Sequence, residues 1–132
     1  MLPQKKKSSK LQSRHLSNQQ DSEHIQAQPL DWETDDVAGM RPVDLVIACD
    51  CIYNESLIEP LNSTCASLCR LRQDSGQLTL CLIAQQLRSP DVLEAWLVNF
   101  HQKFRVWQVP DKLLDEGLRE GSGFVVHVGI VR

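Results

Sequence analysis

Apolar and polar positions divide this chain into a few clean stretches. Leu45 to Ala48 is an uninterrupted aliphatic run that ends in an acid, Asp50, with Tyr53 three residues further on. A run without polar alternation predicts a strand buried on both faces, as in a parallel sheet flanked by helices. Its acid falls at the carboxyl end, where open α/β sheets place their ligands. Leu78 to Ala84 is a second nearly continuous apolar run, and Gln85 to Arg88 set polar side chains at its end. Between the two, Leu57, Leu61, Cys65, Leu68 and Arg72 recur at helical spacing, with Ile58 widening the apolar face. Two starts fit that helix: a capping box from Ser56 to Glu59, or Glu59 at the cap just before Pro60.

Further on, Ser89-Pro90-Asp91 is a helix start, with a cap residue, a proline in the first turn and an acid at the positive end of the dipole. Val92, Leu93, Trp96, Leu97 and Phe100 form its packed stripe, which makes Trp96 a core residue. Phe104 to Val109 alternates as a half-covered strand does. A charged linker over residues 110–120 and Gly121-Ser122-Gly123 lead to a last strand, Phe124 to Val131, expected to close the sheet as an antiparallel pair. His127 lies in that strand and reads as a satisfied or surface histidine. Ahead of all this, Ile25 to Trp32 alternates loosely; Pro29 restricts it to a short edge strand. The resulting order is strand, strand, helix, strand, helix, strand, strand, an α/β layout.

Composition narrows the picture. A length of 132 residues suits one domain, and 42% hydrophobic with 23% charged residues suits a globular one. The net charge of −3 is unevenly spread: Lys5, Lys6, Lys7, Lys10 and Arg14 fall in the first 20 residues, which hold no acid. Residues 1–24 form a basic polar tail, read as solvated or as a frayed helix rather than as a nucleic-acid contact. No apolar run approaches the roughly 18 residues that span a bilayer, and no signal-peptide pattern opens the chain. The expected compartment is the cytoplasm, with the nucleus as the alternative. Cys49, Cys51, Cys65, Cys69 and Cys81 are odd in number and all lie in apolar segments, as reduced buried thiols do. They form no CxxC, so no metal site is expected.

The segment DLVIACDCIYNESLIEPL resembles the fourth-strand region of the seven-β-strand, S-adenosylmethionine-dependent protein-lysine methyltransferases. Within that family it is most similar to the group containing the fungal ribosomal lysine methyltransferase 5 proteins. The family pattern of apolar strand, Asp, two residues and an aromatic is matched by Asp50-Cys51-Ile52-Tyr53; Leu30-Asp31-Trp32 matches its Leu-x-Trp before an acidic turn. The resemblance covers roughly residues 25–132, with the terminal antiparallel strands agreeing too. It implies a Rossmann-like methyltransferase sheet and methyl transfer to the lysine amine of a protein substrate, a ribosomal protein by the nearest group. It further implies that Trp32, Cys49 and Asp50 contact S-adenosylmethionine, and that Asp50 and Tyr53 line the lysine channel as catalytic residues. A complete enzyme of this kind is expected to be a monomer.

The sequence also departs from the family. Its six glycines begin at Gly39 and form no GxGxxG-like turn, and the first 24 residues hold no convincing strand. The family's first two strands are therefore expected to be missing, leaving the Leu45 strand with an unpaired apolar edge. On this reading residues 25–132 are the C-terminal part of a methyltransferase domain, weakly active or inactive alone. A non-catalytic interaction module is the alternative.

Overall fold

The computed structural model describes residues 24–52, 54–119 and 121–132. The expectations for residues 1–23 of the basic tail, and for Tyr53, lie outside those residues. The chain divides into two compact units, residues 1–35 and 36–132.

In the first unit, residues 25–31 form no strand and Trp32–Thr34 form a turn, against the expected edge strand. The carboxylates explain the difference. Asp31 Oδ1 accepts from Glu33 N at 2.9 Å, Asp35 Oδ2 accepts from Asp31 N at 2.7 Å, and Asp35 N donates to Asp31 O at 2.9 Å. Local side-chain bonds of this kind compete with a ladder, and Pro29 has no N–H to offer one.

The second unit is an α/β sheet. Its strands are β1 (Leu45–Cys49), β2 (Leu80–Gln86), β3 (Phe104–Gln108) and β4 (Phe124–Val131). Helix α1 (Ile58–Arg70) joins β1 to β2, and α2 (Pro90–Lys103) joins β2 to β3. The sheet order is β1-β2-β4-β3. β1 and β2 are parallel with Ala48 opposite Ile83, while β4 runs antiparallel to both β2 and β3. This is the expected succession of two strand-helix-strand steps and an antiparallel return.

Register fixes the faces. Cys81 pairs with Gly129 and Ile83 with His127, so these four share one face. Both helices cover that face. Trp96 of α2 stacks on Phe100 at 4.7 Å, Phe100 stacks on Phe104 at 4.3 Å, and the Trp96 ring lies 5.4 Å from that of His127. All three stacked aromatics are fully buried, which confirms Trp96 as core. Asn62 of α1, also fully buried, joins the helices: it accepts from Trp96 Nε1 at 2.9 Å and donates to Asn99 Oδ1 at 3.0 Å. Cys65, Cys69 and Cys81 are buried between α1 and β2, and none of the five cysteines is in a disulfide. Contact with the Cys65 and Cys69 thiols, reinforced by burial, pushes the Cys81 thiol well above its ordinary range.

The opposite face is apolar but open. Leu45, Ile47, Leu80 and Trp107 lie on it and are exposed, Ile47 by 61%. β1 is the outer strand, bonded among the described residues to β2 alone. The strand buried on both faces that its composition predicts is therefore not observed: among the described residues β1 is covered on one face and paired on one edge. Asp44 O accepts from Leu80 N and Asp50 N donates to Ala84 O. In a parallel ladder this turns the amides and carbonyls of Leu45, Ile47 and Cys49 toward the free edge.

Three details depart from the sequence reading. Neither expected cap operates: Asn54 Oδ1 accepts from Ser56 N at 3.0 Å, capping a 3-10 turn over Glu55–Leu57 that runs into α1. Pro60 fits inside the first turn of α1 because the N–H it lacks has no intrahelical partner there. The helix ends at Arg70, so Arg72 leaves the apolar row. Its guanidinium instead donates to Asp44 at 2.5 Å, to Thr79 Oγ1 at 3.1 Å and to the Leu78 carbonyl, tying together the starts of β1 and β2. His127 is neither a surface histidine nor fully satisfied. It is 6% exposed, and its Nδ1 lacks a partner among the described residues. Burial, with His101 contributing, holds its pKa below the ordinary value, so the ring is neutral at pH 7.

Candidate active site

The carboxyl ends of β1 and β2 lie side by side, and Asp50 occupies the join. Its backbone takes a left-handed conformation, φ 52°, the one positive φ outside glycine among the described residues. Aspartate tolerates that region better than most residues, yet it remains sparsely populated and costs backbone strain. The surroundings hold it there. Asp50 N donates to Ala84 O at 2.8 Å, extending the β1–β2 ladder one residue past the strand. Its carboxylate accepts from Arg88 Nη2 at 2.9 Å and, weakly, from Gln86 N at 3.5 Å. Gln86 Oε1 in turn fixes Arg88 through Nε at 3.0 Å and Nη2 at 2.8 Å.

Asp50 thus becomes a rigid acceptor at a sheet end. A carboxylate has about four acceptor directions. The two contacts leave lone pairs for a further cationic donor, and the side chain is 30% exposed. Strand termination by an acid was visible in the sequence, as was the polar cluster after β2. The pairing of Asp50 with Arg88 was not, because residues 38 apart meet only through the register of β1 on β2.

The flanking thiols have separate settings. Cys49 is exposed at the end of β1. Cys51 is half-buried and donates from Sγ to Cys49 O at 3.5 Å, and burial pushes its thiol up. It stays protonated at neutral pH and is a poor nucleophile. Of the four expected site residues, the structure brings Cys49 and Asp50 together. Trp32 lies on the turn in the other unit, and Tyr53 lies outside the described residues. Among the described residues no three His, Cys, Asp or Glu side chains group as metal ligands, and no helix is long and apolar enough to cross a membrane.

Fold and site together define an α/β protein with an acid presented at the carboxyl end of a parallel strand, where open sheets of this kind bind their ligands. Comparison with known proteins gives the family. A family model described as lysine methyltransferase matches residues 6–95, and the chain belongs to that family. It is also similar to ribosomal lysine N-methyltransferase 5 of Vanderwaltozyma polyspora, at 32% identity over 121 residues. That alignment takes in 79% of this chain and 35% of the relative, so the chain spans about a third of the length of the curated relative it matches.

Proposed function

We propose that the protein serves S-adenosylmethionine-dependent methylation of a lysine side chain in a protein substrate. The observation that carries the reading is the fixed Asp50 carboxylate at the end of β1, inside the segment matched to the family. Such a carboxylate holds and orients a lysine ammonium, which gives up one proton to solvent before the neutral amine attacks the sulfonium methyl and the thioether leaves; alignment of that amine is most of what the transfer requires of the protein. Neutral Cys51 does not compete as a nucleophile. The name of the similar yeast enzyme suggests a ribosomal protein as the substrate.

When bound, S-adenosylmethionine supplies a sulfonium methyl. The described residues at the end of β1 do not by themselves fit it. Cys49 and Asp50 form one wall, and the Asp50 carboxylate that could reach a ribose is already held by Arg88 and Gln86. The second reading, a non-catalytic interaction module, has one observation in its favour: Leu45, Ile47, Leu80 and Trp107 leave an exposed apolar surface on one face of the sheet.

Titration calorimetry separates the two. The 132-residue chain is expected to show no micromolar binding of S-adenosylmethionine, whereas a chimera supplying the relative's remaining sequence is expected to bind it and to transfer methyl. Asp50→Asn in that chimera abolishes transfer and leaves the melting temperature within a few degrees. Near-normal turnover of the variant would remove Asp50 from the site.

A further inference from the structure

At the same end of the sheet as Asp50, the second unit holds a cavity of about 410 Å³. Its floor is the start of β4, Phe124 to Val126, and its roof is the 110–121 segment, which contributes Leu114 and Leu118. Gln108 and Asp111 are the polar groups at its rim. The roof is a built element. Leu114 N donates to Asp111 O at 3.0 Å, Leu118 N to Asp115 O at 2.9 Å, and Arg119 Nε to Leu114 O at 3.0 Å. Leu87 N anchors the near wall on Gly123 O, and Val109 N donates to Val126 O at 2.9 Å. With its backbone bonded internally, the segment holds its leucines over an apolar floor instead of collapsing onto it. The volume is in the range of ligand pockets, and an apolar lining with a few polar groups is their usual character.

We propose that this cavity receives a large apolar side chain of the protein substrate, about three positions from the target lysine. The inference rests on the lysine methyltransferase reading and adds a specificity site to it. Three observations carry it. The near wall, Leu87, directly follows Gln86, whose N–H lies 3.5 Å from Asp50 Oδ1. From β1 across β2 to β4 is two strand spacings, about 10 Å, and an extended peptide covers that in about three residues. Beside the cavity, Asp111, Asp115 and Glu116 outnumber Lys112 and Arg119, an acidic surround that favours a basic peptide.

Fluorescence anisotropy of the full 132-residue chain with labelled nonapeptides tests this, using a central lysine in an arginine-serine background and one leucine scanned through the flanks. Leucine two to four positions to one side of the lysine is expected to tighten binding about tenfold over glycine. Leu118→Asp, or Leu114→Trp to fill the space, is expected to erase that gain while the circular-dichroism melt persists. Asp50→Asn is expected to erase the preference for a central lysine over norleucine and to keep the leucine gain. Leucine preference at fixed spacing with no lysine preference in the unmodified chain would support the cavity and overturn the lysine reading. Lysine preference with no positional leucine gain, a gain equal at every position, or no binding of any peptide would overturn the cavity.

Discussion

Gly129 offers the sharpest test of how the second unit is packed. It sits mid-strand in β4, opposite Cys81 on one side and Val106 on the other, on the face covered by both helices. A Cβ built there would lie 2.8 and 2.9 Å from ring atoms of Phe100 and 3.0 Å from Phe104. Neither ring can yield, because Trp96, Phe100 and Phe104 form a continuous stack and are all fully buried. Overpacking of this kind costs about 1–3 kcal/mol. Alanine recovers about 0.5–1 kcal/mol because glycine is a poor strand residue. The net expectation for Gly129→Ala is a loss of about 1–2 kcal/mol, read as a lower urea midpoint at unchanged slope. Phe100→Leu supplies the control. It destabilises alone, but in the double variant it makes room for the new methyl, so the two changes should cost less together than their sum by about 1 kcal/mol. A neutral or stabilising Gly129→Ala, or strict additivity, would refute the close approach.

Two further outcomes follow from side-chain pairing. Asn62→Leu keeps the volume but strands the buried Trp96 indole N–H, and is expected to cost about 2–3 kcal/mol by denaturant unfolding; a loss below about 0.5 kcal/mol would mean that the indole finds another acceptor. Glu59 is held at a pKa of about 2, from 4.5, by hydrogen bonds from Asn99, Ser63 and Lys103. A depressed carboxylate contributes stability that is full above pH 4.5 and lost as pH falls toward 2. The undiscounted shift corresponds to about 3 kcal/mol, but the side chain is 59% exposed, and screening reduces this to about 1 kcal/mol. The stability difference between the unmodified chain and Glu59→Gln is therefore expected to shrink across pH 4.5–2. His127, with its lowered pKa, weakens both proteins alike below pH 6.5, so a difference that stays constant across the acid range would contradict the Glu59 network.

Most of the second unit was legible from periodicity. Continuous aliphatic runs marked β1 and β2, alternation marked β3, and Ser89-Pro90-Asp91 marked the start of α2 within a residue. What periodicity could not supply was competition between local bonds. Ile25–Trp32 alternates well enough for a strand, but Asp31 and Asp35 close a turn on their own backbone. Likewise Asn54 caps earlier than Ser56 or Glu59, because the chain enters α1 through a 3-10 turn. Arg72 and His127 show the same limit at longer range: spacing gave each a position, while its surroundings were set by strands far away in sequence.

The stretch around Asp50 joins the two kinds of information. Its composition asks for burial on both faces, and the fold supplies cover on one face and a partner on one edge. An aliphatic strand such as β1 in that position presents free amides and apolar side chains that favour pairing with a further strand. Asp50 stands where the covered and uncovered halves meet. Its carboxylate is fixed from the β2 side by Arg88 and Gln86, while Cys49 beside it faces outward, exposed. On the proposed reading, the carboxylate fixed on the β2 side is the group that orients the substrate lysine.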